Sequence, residues 1–185
     1  MLLFCVIMYE AQNRSVFYMY NINDFIIYGS TGVCKIEDIC TPDFAKELGI
    51  DKLYYKISPV YRSETIYIPI DTKNYMRPIV TKEEAEDLIS KMPQIKESDF
   101  EGKDHRALAE KYKLSIKTHE CEDLISLIKT VYFRSQDMIS QGKKPGQTDM
   151  QYMKQAEDLL YGELAVALEI SIKEVRKYIE NKIGK

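Results

Sequence analysis

Two periodicities divide the chain. Between Asn21 and Ile70, apolar residues recur at every second position in the runs DFIIYG, GVCKIEDIC, KLYYKIS and ETIYIPI. In the third run Leu53, Tyr55 and Ile57 alternate with Tyr54, Lys56 and Ser58, and in the fourth Ile66, Ile68 and Ile70 alternate with Thr65, Tyr67 and Pro69. That is the signature of half-buried strands. The break Gly29-Ser30-Thr31-Gly32 offers two residues tolerant of positive φ and suits a tight turn. Pro69 has no N–H for a ladder, so the fourth strand belongs at an edge, at a bulge or near its own end. The connection from Thr41 to Asp51 has room for one helical turn. Four or five short strands in about sixty residues predict a small, strongly bent sheet or an SH3-like or Tudor-like barrel.

At Arg77-Pro78 the period changes to 3.6. Four segments open with a hydroxyl followed three residues later by Glu or Gln, the capping-box pattern: Thr81 with Glu84, Ser98 with Glu101, Thr148 with Gln151, and Ser171 with Glu174. Leu124, Leu127, Ile128, Val131 and Met138 form one apolar stripe that ends at Gly142. Met153, Ala156, Leu160, Leu164, Ala167 and Leu168 form a second, and Ile172, Val175 and Ile179 a third. These are amphipathic helices of a compact bundle, with GKKPGQT as a connection. The fold class expected is therefore α+β, a small N-terminal Tudor-like or SH3-like β domain at 19–79 followed by an all-α helical domain at 80–185. Residues 1–18 read as an extension, or as the product of a start codon upstream of a true start at Met19.

Composition narrows the function. The 185 residues carry 26 Lys plus Arg against 29 Asp plus Glu, a net charge of −3, which argues against a protein held on nucleic acid by bulk charge alone. Cys5, Cys34, Cys40 and Cys121 lack the close spacing of zinc-binding pairs, so neither a metal nor a cofactor is expected, and reduced thiols point to a cytoplasmic protein. No segment reads as a signal peptide or a membrane span. Catalysis finds no constellation either. His119-Glu120-Cys121 sits at a helix start, where adjacent side chains diverge by about 100°, and a structural role is the better reading. GSTG lacks the length and the Lys-Ser/Thr ending of a phosphate loop. Glu83, Glu84, Glu86 and Asp87 complement a helix dipole. What is left is recognition. Tyr54, Tyr55 and Tyr67 suit either a protein contact or packing over the sheet. The edge around Thr65 to Ile68 can accept a partner's strand. Lys103, Arg106, Lys111, Lys113 and Lys117 form a basic segment softened by Glu101, Asp104, Glu110 and Glu120, and it fits a phosphate-contacting patch or a salt-bridged face equally well.

Taken in order, YNINDFIIYGSTGVCKIEDI from about Met19, LYYKI, TIYIPID, MRPIVTKEEAEDLI and YGELAVAL resemble the CarD family of bacterial transcription regulators. The β domain of that family is shared with transcription-repair coupling factors. The resemblance runs from about Met19 to Ile170. It implies binding to the RNA polymerase β subunit by strand pairing of the β domain. It also implies contact of the helical domain with promoter DNA at the upstream edge of the melted region, where a wedge residue favours the open state. On this chain the polymerase-facing strand is Thr65, Ile66, Tyr67 and Ile68, with Tyr67 where several relatives carry arginine. The DNA-facing residues are His105, at the position of the family's tryptophan wedge, and the basic Arg106, Lys111 and Lys113. The charge distribution fits this division. Residues 19–93 hold 9 basic and 12 acidic side chains, and 94–185 hold 16 of each. A neutral helical half binds free DNA weakly and needs delivery by polymerase, where effective concentration replaces intrinsic affinity.

Overall fold

A computed structural model describes residues 20–98 and 105–184. The expected extension at 1–18, Cys5, Lys103 and the Glu101 half of the second capping box lie outside the described residues. Five strands form one antiparallel sheet: β1 Phe25–Tyr28, β2 Gly32–Cys40, β3 Tyr54–Pro59, β4 Ile66–Pro69 and β5 Met76–Pro78, in the order β4-β3-β2-β1-β5. One turn of helix, α1 (Asp43–Glu47), fills the long connection between β2 and β3. Beyond the sheet come α2 (Lys82–Lys91), α3 (His105–Lys117), α4 (Cys121–Ser140), α5 (Gln147–Leu168) and α6 (Ile172–Ile183), so the chain is α+β with its strands first.

The alternation did its work where strands are long. Ile26, Cys34, Ile36, Tyr55, Ile57 and Ile68 close one face of the sheet into a core of their own, and burial pushes the Cys34 thiol up to about 12. Register slips between Ile36 and Asp38, which bends β2. At the ends the alternation fails: Leu53 and Ile70 flank their strands and are exposed. β5 escapes sequence reading because its three residues, Met76, Arg77 and Pro78, contain no period. It exists because β1 pairs with it, Ile27 against Arg77 and Tyr28 against Met76. β4 and β5 are thus the two edges.

Ile27 and Val33 are also buried, and as odd members of their strands they point away from Ile26 and Cys34, toward the helices. Gly32 lets the two layers meet there. Its φ is +85°, and a Cβ would stand 3.1 Å from Leu159 Cδ2, so the turn and the close approach both require glycine. The helical core gathers the predicted stripes, with Leu88 and Ile89 of α2, Tyr112 of α3, Leu127 and Val131 of α4, Leu160 and Leu164 of α5 and Val175 of α6 buried together.

The capping boxes at Thr81 and Ser171 form. Thr148 does not cap. α5 is capped two residues earlier, at Gly146, because tertiary contacts claim its first turn: buried Asp149 accepts from Tyr112 Oη at 3.1 Å and from Arg134 Nε at 3.2 Å. Ser98 is likewise tied to α4, its hydroxyl 2.7 Å from that of Ser126. Lys129 of α4 donates to the Met92 and Ile95 carbonyls at 2.6 and 2.7 Å, satisfying carbonyls beyond the end of α2. Among the described residues no helix is long and apolar enough to cross a membrane.

Candidate interaction surfaces and the seam that orients them

The strand edge is where the hydrogen-bonding pattern leaves groups open. Ile70 N–H donates to Leu53 O at 3.1 Å, and Tyr55 faces Ile68 and Ile57 faces Ile66 in register. Bonded and non-bonded pairs alternate along an antiparallel ladder, so the backbone groups of Ile66 and Ile68 turn inward to β3 while those of Thr65 and Tyr67 turn outward. Pro69 occupies an outward position as well, where a missing N–H costs β3 nothing. The four residues expected at the edge therefore divide. Ile68 is buried and Ile66 half-buried in the sheet core, whereas Thr65, just before the strand, and Tyr67 are exposed. Tyr55, a candidate for surface recognition, is instead buried, with its hydroxyl accepting from Tyr20 N–H at 3.2 Å.

Around Tyr67 lie rings that sequence spacing could not have assembled. Phe44 of α1 meets Tyr67 and Tyr54 edge-on, with centroids 5.8 and 5.7 Å apart. A connecting loop supplies the first ring and two strands the others.

On α3, Arg106, Lys111, Lys113 and Lys117 are all exposed, and Lys113 is held by Glu110 at 2.7 Å. Leu108, Tyr112 and Ile116 take the opposite, buried face. His105 is the first described residue of α3; its side chain lies outside the described residues. The basic segment is thus one solvated face, partly neutralised by its own carboxylate. α4 leaves Tyr132, Phe133 and Ile139 more than half exposed, and the two rings touch at 5.6 Å.

Between sheet and helices lies a polar seam that unites the two most recognisable sequence motifs. Arg77 of β5 donates through Nη1 and Nη2 to the two oxygens of Glu163 on α5, at 2.5 and 2.8 Å. Val80 N–H donates to Glu163 at 3.0 Å and the Cys121 thiol donates at 3.3 Å. Arg77 also donates to His119 O at 2.6 and 3.2 Å. Burial by itself would lower the Arg77 pKa, yet the Glu163 carboxylate holds it above the ordinary arginine value. Next to Glu163, Gly162 accepts from Tyr61 Oη at 3.1 Å and has no Cβ to collide with that ring. The Arg-Pro junction and the Gly-Glu-Leu-Ala helix are therefore two halves of one joint.

The His119-Glu120-Cys121 trio belongs to that joint. His119, with φ of 58°, stacks on Tyr75 at 4.5 Å, and burial together with Arg77 holds its imidazole below its usual pKa. Burial and Glu163 push the Cys121 thiol far from ionisation. The two groups serve separate contacts and do not converge. An open groove of about 470 Å³ beside them is lined by Pro78, Val80, Leu88, Cys121, Glu120 and Glu122 among others, and His119 is not part of it. Among the described residues no group of three or more His, Cys, Asp or Glu is arranged to hold a metal ion.

Residues 20–80, which span the whole sheet with α1 and end at Val80, match the family model of the CarD-like/TRCF RID domain, and helices α2 to α6 lie outside the matched segment. A search of curated proteins returned no match.

Proposed function

We propose that this CarD-like chain, whose residues 20–80 form a transcription-related RNA polymerase-interacting domain, docks on the polymerase β subunit through β4. In that reading it modulates promoter open-complex stability through its helical half. The observation that carries the proposal is the open edge: Thr65 and Tyr67 turn their N–H and C=O outward, and added strands use such groups. The α3 face supports the DNA half, with Arg106, Lys111, Lys113 and Lys117 exposed and His105 at the position of the wedge. Each lost phosphate contact lowers the slope of log affinity against log salt by about 0.9 on duplex DNA.

Binding of the full chain to the isolated β-subunit lobe tests the first half. Tyr67→Pro removes an outward N–H while sparing the β3 ladder, and it should weaken binding well beyond Tyr67→Ala. Equal losses would mean that backbone pairing is not the mode. Promoter footprinting and open-complex lifetimes with purified polymerase test the second half, which fails if neither changes on adding the protein. A second reading, a polymerase-tethered adaptor with little DNA contact, draws support from exposed Tyr132 and Phe133 and from a helical half at 80–185 whose 18 basic side chains do not outnumber its 20 acidic ones. Arg106→Ala with Lys113→Ala separates the two readings: promoter effects weaken and lose salt dependence under the first and persist under the second.

A further inference from the structure

Single exposed apolar side chains are ordinary, but a contiguous group is not. Phe44, Leu48 and Tyr67 are 46, 72 and 38% exposed. They also adjoin one another. Leu48 lies one helical turn beyond Phe44, its N–H donating to Phe44 O, and Phe44 contacts Tyr67 and Tyr54. Lys56 is the register partner of Tyr67 and shares its face of the sheet. The nearby Lys46 and Lys52 are paired with Asp43 and Asp71, whereas Lys56 makes no ion pair among the described residues.

We infer that this platform, centred on α1, is the part of the β4 docking site that reads side chains. Its occupant is a polymerase strand with a bulky aliphatic or aromatic residue in register with Tyr67 and a carboxylate within reach of Lys56. The inference rests on the polymerase reading and gives it a partner chemistry. A strand added outside β4 pairs through the outward groups of Tyr67, and residues directly opposite in a sheet share a face. The residue opposite Tyr67 therefore lands against the Tyr67 and Phe44 rings. Its neighbours in sequence point to the face already filled by Ile66 and Ile68. Leu48 extends the platform beyond the strand, and Lys56 selects an acidic neighbour by charge.

The experiment measures binding of the full chain and three variants to the isolated β-subunit lobe, with thermal unfolding as the fold control. Phe44→Ala and Leu48→Ala should each weaken binding about tenfold, the scale of a hot-spot truncation, with melting unchanged for the 72% exposed Leu48 and only slightly lowered for Phe44, which packs on Tyr54 and Tyr67. Lys56→Gln should slow association and flatten its salt dependence. If the wild type binds and the Phe44 and Leu48 variants bind equally well, the platform is refuted while strand docking stands. If the wild type does not bind, the polymerase reading falls and takes this inference with it.

Discussion

Glu163→Gln is a near-isosteric change with an outsized expected cost. In the native joint one carboxylate oxygen accepts from Arg77 Nη1 and Val80 N–H, and the other from Arg77 Nη2 and Cys121 Sγ. Glutamine preserves the first oxygen but places an NH₂ against two groups that are themselves donors. It also leaves the Arg77 guanidinium, 18% exposed at the side chain, without a counter-ion. Removing one partner of a buried pair costs about 3–5 kcal/mol. Arg77 keeps its bonds to His119 O, so about 3 kcal/mol is expected, a large part of the roughly 5–15 kcal/mol that holds a domain together. At about 2–4 °C per kcal/mol for a chain of this size, the melting midpoint falls by roughly 6–12 °C. Urea and thermal unfolding followed by circular dichroism measure the loss, and a double-mutant cycle with Arg77→Met and Glu163→Met isolates the pair. The double variant should be far more stable than the sum of the two single losses predicts, because no charge is stranded. A loss below about 1 kcal/mol for Glu163→Gln, or strict additivity in the cycle, would refute the joint as the element that couples sheet to helices.

Gly32→Ala should destabilise by about 1–3 kcal/mol, since the new Cβ meets Leu159 at a backbone φ of +85°; an unchanged melting midpoint would show that the layers slide apart freely. Because the folded state holds the His119 pKa below its unfolded value, the contribution of this residue is fully present above about pH 6.5 and is lost as pH falls from there through the folded pKa. His119→Asn tolerates the positive φ and should flatten this part of the pH–stability curve between pH 7 and 5. Parallel curves for the two proteins would sink the assignment.

Sequence alone determined what depends on period and on local chemistry. Alternation located β2, β3 and β4, the 3.6-residue stripes located the helical core, Pro69 limited β4 to an edge, a bulge or its own end, and Thr81 and Ser171 marked helix starts, because each of these signals acts within a few residues. The motifs that made the chain recognisable were legible too, but not their role, since MRP and YGEL have no local reason to meet. Only the tertiary structure decided that Arg77 and Glu163 neutralise each other, that β5 exists, that Asp149 overrides the Thr148 cap, and that Phe44 comes to rest beside Tyr67. Each of these couples residues from separate elements, and the burial that makes such contacts strong arises only when the chain is packed.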